Sequence, residues 1–528
     1  MSAGVCRAAA IALTGLDGTL VQVEAAVSNQ LPGMAIIGLP DTALAEAKQR
    51  VRLATQQAGL SLSKRFLVVN LSPAALPKQG SGFDLAIALA ALAASSELPA
   101  DHLERVAHIG ELSLDGGLRR PPGLLSAVLA AHRLGFAQVM VPAAHAQEAA
   151  LVPGIEVIAA HSLRGAVAWH RGESEGWHIA TPETANDVGN ASGGSPATET
   201  SSASSQGTHD MSDVIGQPEA VEALVVAAAG KHHVSMVGPP GSGKTLLATR
   251  LATILPDLTA EESILASSIA SLRGTTLTEL VRRPPFIAPH HTATQVSLTG
   301  GGDSRGVHLG AVTQACCGVL FLDEAPEFSR DALNALREPI ESRHVSVHRA
   351  RMHAVLPAQM QVVIAANPCP CGYADSLDSA EPCRCSPSQR VRYLGRISGP
   401  LSDRIDLRLT VRRVPSMLLE SDDSARPTSS ELRERVILAR TRAATRLRHT
   451  PWRVNAEVAS SWLLAAENRP PRSVTAVIDR AYARGALSMR GYERTLRLGW
   501  TLADLAGKPR PERDEIRQAL TLRNGAAI

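Results

Sequence analysis

The sequence predicts a multidomain α/β protein, with an N-terminal mixed α/β domain, a central α/β domain and a C-terminal helical domain. The chain has 528 residues, more than one ordinary domain needs. Small polar residues fill 181–209, which is typical of a flexible linker. Strand and helix patterns alternate over 213–414, whereas the segment after 425 shows helical patterns only. We therefore divide the chain into a first domain (1–170), a linker (171–210), a core (211–415) and a helical domain (416–528).

Hydrophobic patterns predict the elements of these domains. In the first domain we expect strands over 21–27 and 66–71 and helices over 41–57 and 84–94, with Asp41 as an N-cap. In the last domain the helical periodicity is clearest over 431–448 and 490–505.

From the composition we expect a cytoplasmic protein. Apolar residues make up 45% of the chain, as in globular proteins, and no run of 18 apolar residues predicts a membrane span. Asp17 and Glu24 interrupt the N-terminal apolar stretch, so we expect no secretory signal. Seven cysteines, four of them clustered, suit a reducing compartment better than a disulfide framework.

A phosphate-binding loop follows the apolar run 234–237 and precedes a helical pattern. Its residues are Gly238, Pro239, Pro240, Gly241, Ser242, Gly243, Lys244 and Thr245. Backbone N–H groups of such a loop surround a nucleotide triphosphate, and the helix N-terminus adds a positive field. Lys244 is expected on the β- and γ-phosphates and Thr245 on Mg²⁺.

Two further apolar runs end in polar residues and predict hydrolysis. The run 318–322 precedes Asp323, a candidate Mg²⁺ ligand, and Glu324, a candidate base for the attacking water. The run 362–366 precedes Asn367, whose amide could orient the same water.

Cys369, Cys371, Cys383 and Cys385 form two C-x-C pairs separated by eleven residues. Four thiolates in one loop could hold a structural Zn²⁺ tetrahedrally. The alternative is four reduced or redox-sensitive loop cysteines. Cys316 and Cys317 lie in an apolar stretch and are expected in the core.

The C-terminal part of the chain is rich in basic residues, which could bind nucleic acid. From Arg390 onward there are 27 Lys and Arg against 15 Asp and Glu, which suits either phosphate binding or arginines that serve helix faces and subunit contacts. Residues 345–355 alternate and predict a hairpin that offers His348, Arg349 and Arg351 to phosphates, or one without a ligand. Adjacent histidines point to opposite sides of an extended chain, so we expect His290 and His291 to be poor joint metal ligands. Because they precede the G-G-G segment, we expect them on a loop or hairpin inserted into the core.

Several motifs together resemble the YifB/ComM subfamily of magnesium-chelatase-like AAA+ ATPases over nearly the whole chain. They are the entry box 213–217, the phosphate loop, P-F-I-A-P-H-H-T-A-T (285–294), G-G-G (300–302), L-F-L-D-E (320–324), A-A-N-P-C-P-C-G (365–372) and S-G-P-L-S-D-R-I-D-L (398–407). The resemblance implies that Asn367 is the water-positioning sensor and that Arg404 is the arginine finger of a neighbouring subunit. It also implies Arg490 as the second sensor of a helical lid, with Arg494 as the runner-up.

The first domain resembles the Lon-protease-like fold related to ribosomal protein S-five, through 70–88 and 110–135. Ser81 aligns with the nucleophile turn of the protease, but 123–127 contains no lysine to activate it. We therefore expect a non-proteolytic relative that serves binding or assembly.

The resemblance implies a cytoplasmic ring, a hexamer, that uses ATP and Mg²⁺ to move DNA, single-stranded or branched, during uptake and recombination. In such a ring His290, His291, Arg349 and Arg351 would lie on insertions that face the pore and contact DNA. The competing functions are a chelatase-type motor subunit and a protein remodeler, and DNA-stimulated ATP turnover distinguishes the first function from these two.

Overall fold

The computed structural model describes residues 5–38, 41–62, 65–73, 82–181, 209–303, 306–349, 352–374, 382–397, 399–414 and 426–525. Most of the predicted linker lies outside these residues, as do Ser81 and Arg351.

An eight-stranded sheet forms the N-terminal part of the protein. In spatial order its strands are Trp177–Ala180, Glu156–Ala160, Gln138–Pro142, Val106–His108, Cys6–Thr14, Asp17–Ser28, Phe66–Ser72 and Gly33–Ile37. A short ribbon joins Glu111–Leu112 to Leu118–Arg119. The sheet continues to Ala180, beyond the boundary that we drew at residue 170.

The helices of this part are Asp41–Gln57, Asp84–Ala94, Leu124–Arg133, Ala146–Ala150 and Leu163–Arg171. The first two have the bounds that the sequence predicts. Every residue from Asp84 to Ala93 is buried, because this helix is apolar on nearly all faces and lies within the domain core.

A five-stranded parallel sheet forms the centre of the core. In spatial order its strands are Phe286–Ile287, Val319–Leu322, Gln361–Ala366, Val234–Val237 and Leu407–Thr410. The helices around it are Pro218–Gly230, Lys244–Ile254, Ala260–Leu272, Gln295–Thr299, Ala311–Gln314, Arg330–Ala335, Arg337–Ser342, Pro387–Leu394 and Gly399–Ser402. Most residues of these strands are apolar and buried, as in a parallel sheet whose two faces are covered.

The C-terminal helices are Ser429–Arg446, Ser460–Leu464, Arg472–Ala483, Met489–Ala506 and Arg513–Asn524. Leu432, Leu498 and Leu522 of these helices share one buried cluster with Val234 and Met236 of the central sheet. The helical part therefore packs directly on the core.

Two antiparallel hairpins extend from the core and contact each other. One joins Gly300–Asp303 to Gly306–Leu309, and the other joins His344–Arg349 to Met352–Pro357, as the alternation over 345–355 predicts. A turn of the N-terminal sheet supports the second hairpin, since a Cβ added at Gly15 would lie 3.0 Å from Cδ2 of Leu356.

A buried polar cluster joins the N-terminal part to the core. Arg120 forms an ion pair with Glu148 at 2.7 Å, and the Ser271 hydroxyl donates to Glu148 at 2.6 Å. Arg120 also donates to the backbone oxygens of Ser271 and Thr275. These contacts fix the first domain on the helix Ala260–Leu272, because a buried charge must keep its partners.

Candidate nucleotide and subunit-interface sites

Three neighbouring parallel strands bring the predicted site residues to one edge of the sheet. Val237 pairs with Ala366, and Leu322 pairs with Ile364. The residues that follow these strands therefore emerge side by side at the carboxyl edge, where α/β sheets bind ligands.

The phosphate loop accepts hydrogen bonds from its own lysine. Gly241 and Gly243 have φ values of +73° and +88°, a left-handed conformation that favours glycine. Lys244 starts the helix Lys244–Ile254, and its Nζ donates to the Gly238 oxygen at 2.7 Å and to Asn367 Oδ1 at 3.1 Å. Burial lowers the pKa of Lys244. The Lys244 amine is thus held beside Asn367 and partly removed from water. When a nucleotide binds, phosphate oxygens can replace the backbone oxygens as its hydrogen-bond acceptors.

The Thr245 hydroxyl donates to Asp323 Oδ2 at 2.8 Å. Adjacent ligands of an octahedral Mg²⁺ lie about 2.9 Å apart when the metal–oxygen distance is 2.0–2.1 Å. The two oxygens therefore fit one metal ion, which would polarise the phosphates when bound.

Glu324 occupies a left-handed backbone conformation, with φ +49°, and its side chain is 54% exposed. Its backbone N–H donates to Asp323 Oδ1 at 2.9 Å, which fixes the two acids relative to each other. The side chain is therefore accessible to water at the end of the strand Val319–Leu322, where a water-activating base would lie.

The paired histidines lie on a loop, as expected, and their rings lie close together. That they are poor joint metal ligands stays a prediction. Their rings lie 4.1 Å apart and are tilted by 34°, because His290 and His291 sit in a turn rather than an extended segment. His291 Nδ1 lies 3.6 Å from Glu324 Oε2. His291 is therefore next to the candidate base, a contact that spacing along the chain did not indicate.

Gln217, the last residue of the entry box, binds the backbone of the phosphate loop. Its amide donates to the Ser242 oxygen at 2.8 Å and to the Arg412 oxygen at 3.2 Å. A cavity of about 260 Å³ lies beside it, lined by residues 216–220 and 409–413. This cavity could hold the base of a nucleotide whose phosphates lie in the loop.

Arg404 lies at the opposite edge of the sheet from the phosphate loop of its own chain. Leu407, three residues later, pairs with Val234 at the start of the phosphate-loop strand, whereas Gly238 follows its end. A four-residue strand spans roughly 13 Å. Arg404 forms an ion pair with Glu341 at 2.7 Å and is 10% exposed.

Arg490 lies 3.9 Å from the same Glu341 oxygen and is 60% exposed. The runner-up, Arg494, is only 15% exposed because it pairs with buried Asp406 at 2.5 Å. Burial by itself raises the pKa of Asp406, but Arg494 and His232 hold it well below its usual value. Both arginines line a cavity of about 390 Å³, but Arg494 is held in a buried ion pair while Arg490 is exposed.

Comparison with known proteins decides the family. Family profiles for magnesium chelatase subunit ChlI match residues 210–419, those for subunit ChlI of Mg-chelatase match 23–145, and those for the ChlI C-terminal part match 426–523. Competence protein ComM of Haemophilus influenzae is 36% identical over 510 residues, which cover 96% of this chain and 95% of ComM. The chain belongs to the YifB/ComM subfamily of magnesium-chelatase-like AAA+ ATPases.

Other relatives agree with this assignment. The uncharacterized protein Rv2897c of Mycobacterium tuberculosis is 43% identical over 524 residues, 99% of both chains. The uncharacterized protein YifB of Escherichia coli is 35% identical over 514 residues, 97% of this chain and 96% of YifB. A Lon protease of Syntrophomonas wolfei is 27% identical over 153 residues, 28% of this chain and 19% of the protease. Membership of the family implies a P-loop ATPase, and AAA+ members commonly form rings.

Among the described residues, no helix has the length and apolar character that crossing a bilayer requires.

The four clustered cysteines converge in the structure. Their ligand atoms lie within 4.8 Å of one another. Burial raises the pKa of Cys369 to about 11, whereas a backbone hydrogen bond from Tyr373 and neighbouring thiols lower the pKa of Cys371 to about 6. The other predicted core cysteines, Cys316 and Cys317, are buried as expected.

The second hairpin exposes one face. Val345, Val347 and Ala354 are buried, whereas His348 and His353 are exposed opposite each other with rings 4.4 Å apart. The sequence analysis missed His353, although strand alternation could have indicated it. Arg349 ends the first strand, and Arg351 lies outside the described residues.

Many C-terminal arginines make internal contacts, which favours the second interpretation of the basic excess. Arg433 donates to the Thr253 oxygen, Arg440 to Ala228, Arg442 to Asp504, Arg497 to Val458 and Arg513 to Ser473. Guanidinium groups used in this way hold the helices on the core. The excess is therefore weak evidence for a nucleic acid surface.

Proposed function

We propose that this protein is a hexameric ring motor that hydrolyses ATP and acts on single-stranded or branched DNA, with branch migration in natural transformation and recombination as its task. The position of Arg404 carries the ring part of the proposal. An arginine one strand length away from its own phosphate loop is suited to a neighbouring subunit's γ-phosphate, and such a finger raises turnover by about 10³- to 10⁵-fold.

The chemistry divides among the residues at the sheet edge. Lys244 binds the β- and γ-phosphates, and Thr245 and Asp323 would hold Mg²⁺. Glu324 accepts a proton from the attacking water, and Asn367 orients that water. Arg490, exposed beside Arg404, acts in the same interface as the second sensor.

DNA as the substrate rests on two observations. Competence protein ComM, whose name connects it with DNA uptake, is similar over nearly its full length. The second hairpin carries the exposed His348 and His353, and Arg349 follows His348. This hairpin contacts the first hairpin, which begins at Gly300, soon after His290 and His291 in the sequence. In a ring, both hairpins would offer phosphate contacts to a strand in the pore.

A second candidate is a motor subunit that remodels a partner protein, as a chelatase subunit does. The three matching profiles, all described as magnesium chelatase subunit ChlI, favour it. In that case the N-terminal domain would be the partner platform, held on the core by Arg120 and Glu148.

ATP turnover measured alone and with single-stranded, double-stranded and branched DNA tests the proposal. We expect stimulation that is strongest with one of the DNA forms and absent in Glu324→Gln. Turnover that no DNA changes, together with no DNA binding at low salt in the presence of nucleotide, would remove the DNA motor and leave the remodeler.

A further inference from the structure

The four-cysteine loop has the geometry of a tetrahedral metal site. Cys369 Sγ lies 3.3 Å from Cys371 Sγ and 3.7 Å from Cys383 Sγ, and the latter two atoms lie 3.5 Å apart. Thiolates around a tetrahedral Zn²⁺ at 2.3 Å lie about 3.8 Å apart. These three separations need an outward movement of only a few tenths of an ångström. Cys385 supplies the fourth sulfur, which lies within 4.8 Å of the other three.

The chemistry of the ligands selects the metal. Four soft thiolates in a tetrahedron favour Zn²⁺ or an iron–sulfur centre over Mg²⁺, Ca²⁺ or Mn²⁺. The site shares no residue with the candidate Mg²⁺ ligands Thr245 and Asp323, so the two metals would not compete.

The loop is attached to the nucleotide site at two points. Cys369 follows Asn367 by two residues, and Asn367 accepts a hydrogen bond from Lys244. Gly372 packs on Pro240 of the phosphate loop, where an added Cβ would lie 2.5 Å from Pro240 Cδ. Gly372 also has φ +85°, so glycine is required for both space and conformation.

We propose that Cys369, Cys371, Cys383 and Cys385 bind one Zn²⁺ and that this ion holds the loop against the phosphate loop, so that zinc occupancy controls ATP affinity. A metal bound to all four sulfurs ties Cys369 and Cys371 to Cys383 and Cys385 and so fixes these two segments relative to each other. Without zinc, the cysteine loop no longer holds Gly372 against Pro240. It also no longer restrains the residues that follow Asn367. This inference rests on ATP binding at the phosphate loop but not on DNA.

Metal content is the first test. Protein purified without added metal should contain about one zinc per chain by elemental analysis, and should lose it in Cys383→Ser and Cys385→Ser. Cys6→Ser, in the first strand of the N-terminal sheet, is the control and should keep its zinc. Iron in place of zinc, or no metal with four titratable native thiols, would overturn the assignment.

The coupling is tested by titrating a fluorescent ATP analogue. A zinc-selective chelator that leaves Mg²⁺ in solution should weaken binding by about tenfold, and added Zn²⁺ should restore it. Unchanged affinity after zinc release would refute the coupling, whereas a wild type that binds no analogue at all would refute the nucleotide site itself.

Gly372→Ala tests the contact without touching a sulfur. It should retain zinc and still bind ATP about tenfold more weakly, because the added methyl group displaces Pro240. Gly59→Ala is the matched control, since Gly59 has φ +70° and nothing within 4 Å of an added Cβ. Equal affinities in the two variants would show that the loop does not act through Pro240.

Discussion

Lys244→Ala and Glu324→Gln should separate ATP binding from ATP turnover. In the structure Lys244 Nζ donates three hydrogen bonds, to the oxygens of Gly238 at 2.7 Å and Pro239 at 2.9 Å and to Asn367 Oδ1 at 3.1 Å. ATP binding exchanges part of this set for phosphate oxygens. The net gain is therefore smaller than the full strength of the new contacts.

A hydrogen bond from a charged donor contributes about 1.5–3 kcal/mol. Loss of one such net contact in Lys244→Ala should weaken ATP binding by about 10- to 150-fold. Glu324 is half-exposed, and its carboxylate lies 3.6 Å from His291. It is not part of the phosphate loop. Glu324→Gln keeps the size of the side chain and removes the base, so turnover should fall by about 10²- to 10⁴-fold while affinity stays within about threefold.

Titration of a fluorescent ATP analogue gives the affinities, and phosphate release gives the turnover. Lys244→Arg is a useful companion, because it keeps the charge but cannot reproduce the compact ammonium contacts. Wild-type affinity in Lys244→Ala would refute the phosphate role. Turnover within about tenfold of wild type in Glu324→Gln would mean that another group activates the water.

Three further predictions concern the ring, the DNA path and the core. Arg404→Ala mixed with Glu324→Gln should recover activity above the sum of the separate variants, since some interfaces then hold both wild-type groups; mixtures that never exceed the sum would contradict a finger in trans. Arg349→Ala with Arg351→Ala should weaken DNA binding for many sequences alike and reduce the salt slope by up to about two; an unchanged slope removes the hairpin from the DNA path. Asp406→Asn should cost about 3–5 kcal/mol of unfolding free energy at pH 7, measured in urea. The pKa of Asp406 is depressed in the folded protein. The loss of unfolding free energy should therefore have its full value above about pH 3.9, the unfolded pKa, and should disappear as the pH falls through the folded pKa. A loss of unfolding free energy that stays constant down to about pH 2 would refute this.

Local sequence was sufficient for the elements that hold the nucleotide site. The phosphate loop lies between the strand Val234–Val237 and the helix Lys244–Ile254, as predicted, and Asp323 and Asn367 follow buried strands. Such motifs are readable because glycine spacing and apolar runs determine the backbone within a few residues. The roles of these side chains, and the division of the chain into four parts, stay predictions.

Long-range packing decided what local patterns could not. The approach of His291 to Glu324, and the hydrogen bonds that tie the C-terminal arginines to backbone oxygens of the core, depend on partners far along the chain. The strand Trp177–Ala180 joined the first sheet through pairing with Glu156–Ala160. No periodicity of a short segment encodes such partners.

The two edges of the central sheet show the same limit most clearly. Sequence spacing places Arg404 only three residues before the strand Leu407–Thr410, but it does not say which strand lies beside it. Parallel pairing of Leu407 with Val234 puts Arg404 at the edge away from its own phosphate loop, and packing of Gly372 on Pro240 puts the cysteines above that loop. By itself the sequence determined the residue types and the local elements that can bind nucleotide and metal. Only the tertiary structure decided which of them meet, because strand order and loop packing follow from the burial of the whole core rather than from neighbours in the chain.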